Sequence, residues 1–291
     1  MPELPEVAAL AAYLDGRLQG ARVAKVQIAS IAVLKTADPP YYALEGRTVG
    51  GVGRFGKFVA IEADGLNFVF HLARAGWARV TESPSTAPLK LGKGPIAARL
   101  RFQPADGGPD VGVDLTEAGT HKGLAVYVVA DPEDVPGIVA LGPDPFGQDF
   151  DLESFAAILA LSGQQIKGLL RHQGIIAGIG NAYSDEILHA ARISPFAQAN
   201  KLDADSVRTL YNAIHDVLGA AIEEAMGKPP SQLKDAKRSH MRVHGRAGLP
   251  CPVCGDTVHE VSFADSALQY CPTCQTKGKI LADRRTSKFL K

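Results

Sequence analysis

Four cysteines occur in this 291-residue chain, as Cys251-Pro-Val-Cys254 and Cys271-Pro-Thr-Cys274. Two Cys-x-x-Cys pairs at this separation match the knuckles of a zinc ribbon, each giving two thiolates to a closed tetrahedral site. The segment between them has the pattern of a hairpin. Val258, Val261 and Phe263 lie on one arm, Ala264-Asp265 near the turn, and Leu268 and Tyr270 on the return. Two disulfides would need an oxidising compartment, and no stretch reads as a signal peptide. A redox dithiol needs one pair, not two. His259 could replace a cysteine, yet four thiolates complete the set without it. The expectation is one structural Zn2+ on Cys251, Cys254, Cys271 and Cys274.

The opposite end of the chain, Met1-Pro2-Glu3-Leu4-Pro5-Glu6, points to chemistry. Initiator methionine is usually removed before a small residue, which would leave Pro2 as a terminal secondary amine beside Glu3. An α-amine titrates near pH 8 and is partly nucleophilic at neutral pH. Attack of such an amine on a sugar's anomeric carbon gives an iminium, which a neighbouring carboxylate can help to form and break down. The plainer reading is a proline-punctuated helix start.

Formal net charge is zero, but it is unevenly spread: residues 226–291 carry +7 and residues 1–225 carry −7. Lys234, Lys237, Arg238, Arg242 and Arg246 precede the ribbon, and Arg284, Arg285 and Lys288 follow it. Such a basic segment suits phosphate contacts or a solvated surface. No apolar run reaches membrane-spanning length, so a soluble, intracellular protein is expected.

Val7, Leu10, Ala11, Leu14 and Leu18 recur at helical spacing, predicting a helix over residues 3–18 that ends near Gly20. Short strands follow to about residue 130, with Phe58–Glu62 and Leu66–Leu72 flanking an Asp64-Gly65 hairpin turn. Residues 83–112 read as a long loop, and Pro132 to Phe150 as an interdomain linker. Residues 152–226 are helical in pattern, broken at Gly174 and at Gly178-Ile-Gly180. Asn181 then opens a helix as an N-cap or as a phosphate donor.

Together these residues resemble the formamidopyrimidine-DNA glycosylase and endonuclease VIII family of bacterial base-excision repair, nearer its formamidopyrimidine branch. The resemblance runs through Pro2-Glu3-Leu4-Pro5-Glu6, Gly56-Lys57 on a strand, His71-Leu72, Leu141-Gly142-Pro143 and Ile166-Lys167. It continues through Gly178-Ile-Gly-Asn181-x-Tyr183-x-x-Glu186, His244-Gly245-Arg246 and the ribbon.

The resemblance implies an α+β multidomain fold. A catalytic β-sandwich with a leading helix would span residues 1–130 and a linker residues 131–150. A helix–two-turn–helix DNA-binding domain would span 151–245, and the ribbon with its basic tail 246–291. The implied activity is that of a bifunctional DNA glycosylase and abasic-site lyase. It would act on flipped-out oxidised or ring-opened purines first, then on oxidised pyrimidines or hydantoins, through a Pro2 Schiff base and β,δ-elimination. A non-catalytic binder of damaged or abasic DNA on the same fold is the alternative. Glu3 would be acid/base at the sugar, Lys57 would contact lesion and phosphate, and Glu6 would support the site or answer the helix dipole. His71, Arg74, Lys167, Asn181 and Arg246 would bind DNA. The implied setting is a bacterial cytoplasmic monomer at the nucleoid, with duplex DNA as partner and no membrane.

The chain also departs from the family. Arg74 in His71-Leu-Ala-Arg74-Ala-Gly76 stands where a void-filling methionine is expected. Asp114-Leu-Thr-Glu-Ala-Gly119 stands where Asp-Pro-Arg-Arg-Phe-Gly would supply an arginine and a phenylalanine, with Thr120, His121 and Lys122 as substitutes. Ser266 stands where the ribbon hairpin carries an arginine, and residues 227–243 lack the loop that covers an oxidised purine.

Overall fold

The computed structural model describes residues 1–92, 94–118, 122–263 and 266–283. Thr120, His121, Ala264, Asp265, Arg284, Arg285 and Lys288 lie outside them. The chain forms two compact units, one of Met1–Ala140 with Glu224–Ala236, the other of Leu141–Glu223 with Lys237–Lys291. Among the described residues no helix is long and apolar enough to cross a membrane.

The first unit opens with helix α1 (Leu4–Leu18). Its Val7, Leu10, Leu14 and Leu18 are buried on one stripe, as the periodicity requires. Eight strands follow: β1 (Arg22–Ile28), β2 (Val49–Phe55), β3 (Phe58–Ala63), β4 (Leu66–His71), β5 (Gly76–Glu82), β6 (Ile96–Gln103), β7 (Val111–Glu117) and β8 (Ala125–Val129). They make two antiparallel sheets, ordered β1-β6-β7-β5 and β2-β3-β4-β8. Phe68, Phe70, Leu100, Phe102, Val113 and Leu115 from both sheets join α1 in one apolar core, which makes the unit a β-sandwich. Asp64 and Gly65 take positive φ of 42° and 80° between the paired residues Ala63 and Leu66, the geometry of a two-residue hairpin. Helix α2 (Pro136–Val139) ends this part of the unit.

The long loop expected over residues 83–112 is corrected: it contains β6 and the start of β7. Pro, Gly and Ser on either side of β6 gave the stretch a loop-like composition. Inside it, Ala97, Ala98, Leu100 and Phe102 are buried, and Arg99 is buried with them at 9% exposure. Arg99 sits across from Asp114 on β7 and grips it bidentately, Nε to Oδ1 at 2.6 Å and Nη2 to Oδ2 at 2.8 Å.

The second unit holds α3 (Leu152–Ala160), α4 (Ile166–Arg171), α5 (Asn181–Ala190) and most of α6 (Ala204–Ala225). Gly142 lies against backbone, since a Cβ there would come within 2.5 Å of the Ile175 carbonyl. Its N–H donates to the Gln173 carbonyl at 2.9 Å, and Ala177 N–H donates to the Pro143 carbonyl at 3.0 Å. Residues 227–243 contain a further helix, α7 (Pro230–His240). The ribbon follows: β9 (His259–Ser262) paired with β10 (Ala267–Tyr270), then α8 (Pro272–Thr276). The ribbon hairpin therefore forms on the arms that the spacing predicted.

Truncating one member of the buried Arg99–Asp114 pair strands the other charge. Asp114→Ala is expected to cost about 3–5 kcal/mol in urea unfolding, while Arg99→Met with Asp114→Leu together stays near neutral.

Candidate active site and zinc ribbon

In the first unit the N-terminal residues are fixed by the start of α1. Glu3 is the N-cap, its N–H donates to the Glu6 carboxylate at 2.8 Å, and Val7 N–H donates to the Glu3 carbonyl at 3.0 Å. Pro2 is buried, and Glu3 and Glu6 are each 2% exposed. Buried carboxylates at a helix start are favoured by its free amides and its dipole.

Lys57 does not lie on a strand. Phe55 and Phe58 pair directly, so Gly56 (φ 53°) and Lys57 form the two-residue turn joining β2 and β3. Arg54 Nη1 donates to the Gly56 carbonyl across this turn at 3.0 Å, and Lys57 is only 7% exposed. His71 ends β4 opposite Phe58, with ring centroids 4.7 Å apart. Burial pushes its pKa down to about 4, and the Lys57 ammonium pushes the same way. Arg74 is exposed on the following turn, where Ala73 takes φ 49° and Gly76 N–H donates to the Leu72 carbonyl at 2.8 Å. A β-carbon at that φ is strained.

The segment expected to carry void-filling side chains is a regular strand up to Glu117. Leu115 is buried, and Glu117 Oε1 accepts the N–H groups of Gly123 and Leu124 at 2.6 and 2.8 Å.

In the second unit, α5 organises the polar residues. Gly180, not Asn181, is the backbone N-cap, so the capping reading of Asn181 is corrected. Asn181 Nδ2 instead donates to the Ala267 carbonyl of β10 at 2.8 Å, and its buried Oδ1 has no hydrogen-bond partner among the described residues. Lys167 is held inside the unit. It is 4% exposed, and its Nζ donates to the Asn181 carbonyl (3.1 Å), Ser184 Oγ (2.8 Å) and Asp185 Oδ1 (2.6 Å), making it an internal strut. Asp185 Oδ2 meets His244 Nδ1 at 2.8 Å. Glu186 accepts three consecutive backbone amides, those of Arg242 (2.8 Å), Val243 (2.9 Å) and His244 (2.8 Å). Burial raises the Glu186 pKa and these donors oppose it; both oxygens face N–H groups, which fits the ionised form. Arg246 is half-buried, its Nε without a partner among the described residues.

The four sulfurs of Cys251, Cys254, Cys271 and Cys274 lie within 4.8 Å of one another, with Cys254–Cys271 at 3.4 Å and Cys251–Cys274 at 3.9 Å. Tetrahedral Zn–S bonds of about 2.3 Å require S–S separations of about 3.8 Å, so the set fits one zinc ion. Burial pushes the Cys271 and Cys274 thiols up, the latter to about 11, so a cation is what would hold them as thiolates. His189 Nε2 stands 3.3 Å from Cys251 Sγ. Sequence reasoning missed His189, Asp185 and Arg99, because their partners are distant in the chain.

Family models match along the chain: the formamidopyrimidine-DNA glycosylase N-terminal domain over residues 1–119, its H2TH domain over 141–231, and the zinc finger found in FPG and IleRS over 248–277. The formamidopyrimidine-DNA glycosylase of Symbiobacterium thermophilum is 32% identical over 295 residues, covering 98% of this chain and 93% of that protein. A Mycobacterium tuberculosis formamidopyrimidine-DNA glycosylase-like protein is 56% identical over 152 residues, 52% of this chain and 95% of that one. Among solved structures, the complex of Lactococcus lactis Fpg with abasic-site-containing DNA superimposes with a TM-score of 0.81 at 25% identity, covering 94% of this chain and 99% of that one.

The depressed His71 pKa has a consequence for stability. The unfolded chain binds a proton near pH 6.5 that the folded unit refuses until about pH 4, so stability falls as pH drops through that window, by up to ~3 kcal/mol from this group. Urea midpoints from pH 7 to 4 measure the slope, and His71→Gln is expected to flatten it.

Fold, matched models and full-length relatives agree: the chain belongs to the formamidopyrimidine-DNA glycosylase family.

Proposed function

We propose that the chain is a bifunctional DNA glycosylase and abasic-site lyase of base-excision repair, acting on duplex DNA with oxidised bases or abasic sites. The observation that carries this reading is the Pro2-Glu3 pair, buried and held at the head of α1 by the Glu3–Glu6 hydrogen bond, in a chain of this family. With Met1 removed, the Pro2 nitrogen attacks C1′ of the flipped nucleotide. The glycosidic bond breaks as the base leaves with its electron pair and a proton, and the Pro2 nitrogen loses its own proton to give a neutral aminal. Its lone pair then expels O4′, which takes up a proton as the sugar ring opens, leaving the C1′ iminium. Loss of a C2′ proton then expels the 3′ oxygen, and loss of a C4′ proton expels the 5′ oxygen.

Glu3 moves protons at the sugar and Glu6 positions it. Lys57, in the turn between β2 and β3, and His71, at the end of β4, face lesion and phosphate. Arg246 binds a phosphate, supported by its buried Nε, a donor without a partner among the described residues, and Asn181 binds one through the second N–H of Nδ2. Exposed Arg74 reaches the duplex from its turn. Zinc holds the ribbon and enters no chemical step. The enzyme works in the bacterial cytoplasm at the nucleoid. Related solved complexes contain L. lactis Fpg with abasic-site DNA and with N7-benzyl-Fapy-dG DNA.

Borohydride reduction on abasic duplex DNA tests this by capturing the iminium as a stable amine. The Met1-processed, zinc-loaded protein is expected to give a covalent complex and strand cleavage, with Pro2→Gly near background. A protein in that state that binds the duplex yet is never trapped sinks the enzyme reading and leaves a damage-binding factor.

A further inference from the structure

We propose that His189 is a built part of the zinc site, its Nε2–H donating to Cys251 Sγ and fastening helix α5 to the ribbon. The ring lies in the last turn of α5, is 2% exposed, and places Nε2 at 3.3 Å from the sulfur. Its Nδ1 is buried with no hydrogen-bond partner among the described residues. A neutral imidazole has one N–H to place. At Nδ1 it would be an orphaned buried donor; at Nε2 it meets an electron-rich sulfur, and Nδ1 keeps only a lone pair. The surroundings therefore select the Nε2–H tautomer.

Four thiolates around a dication carry a net charge of −2, and an N–H donor on one sulfur offsets part of it, as outer-sphere donors do at metal sites. The placement on α5 gives the contact reach. Asn181, Asp185 and His189 follow one another at four-residue spacing. They bond in turn to the Ala267 carbonyl, to His244 and to Cys251. Successive turns of one helix thus grip β10, the strand-free segment before the ribbon, and a metal ligand. His189 is a positioning residue: it acts on DNA binding only through the helix that carries Asn181.

The test uses the full-length protein with Co2+ in place of Zn2+. His189→Phe keeps a planar ring and removes the donor, and His189→Gln restores a side-chain N–H. The sulfur-to-cobalt charge-transfer band is expected to shift in His189→Phe and to move back in His189→Gln. Competition with a chromophoric chelator is expected to show about tenfold weaker zinc binding for His189→Phe. A folded His189→Phe whose cobalt spectrum and zinc affinity both equal the wild type overturns the proposal. A measurement independent of any variant is 15N NMR of the 113Cd-loaded wild type. A ring proton on Nε2 coupled to cadmium through the sulfur supports the assignment, and a proton on Nδ1 overturns it.

Discussion

The second unit is organised by one buried carboxylate. Glu186 gathers the amides of three consecutive residues, 242 to 244, and so dictates how the chain leaves α7 and approaches the first cysteine knuckle. Burying an ion costs several kcal/mol unless its lone pairs are met, and a run of three backbone donors meets them without spending a side chain. The neighbouring Asp185 is buried as deeply and answers to Lys167 on one oxygen and His244 on the other. Two adjacent carboxylates in a dry helix are tolerable only with this many donors. The result is a helix start, at Asn181, that cannot drift relative to the ribbon strand it touches.

The first unit uses the same principle to a different end. The Arg99–Asp114 fork is cross-strand, bidentate and buried, and it keeps β7 a regular ladder between β5 and β6 as far as Glu117. The stretch that stands where the family carries its void-filling arginine and phenylalanine here serves the sandwich: Leu115 fills its core, and Glu117 ties back the chain at Gly123 and Leu124. The exposed arginine on the turn after β4 sits instead beside a strained alanine. The start of α1, by contrast, keeps the family motif.

What the sequence made legible was local. Cysteine spacing located the metal site, 3.6-residue periodicity located α1, and Asp64-Gly65 located a hairpin, because each signal lies within a few residues of its cause. The misses were long-range. Arg99 looks like a solvent-facing strand residue until Asp114, fifteen positions on, is known to face it, and without that pairing β6 dissolves into its Pro- and Gly-rich flanks. The contacts of Lys167 with Ser184 and Asp185, 17 and 18 positions on, are likewise invisible in the sequence. Helix α7 was hidden by Gly227-Lys-Pro-Pro230 and by its polar composition, with Leu233 as its one fully buried anchor beside Pro230. Asn181 was misplaced by one position, since glycine can cap a helix as well as asparagine can.

The opening motif shows how structural and chemical demands divide within six residues. Leu4 is buried and anchors the first turn, and Pro5 sits where a helix has no amide to lose. Glu6 reaches back to the Glu3 N–H, and Glu3 occupies the cap position, so both glutamates are already useful to the helix. Pro2 is different. It precedes the cap, donates no hydrogen bond, and could be replaced by many residues without loss to the helix. The one feature that distinguishes it is the secondary amine that appears when Met1 is removed, and that amine is held at the head of α1 beside a buried carboxylate.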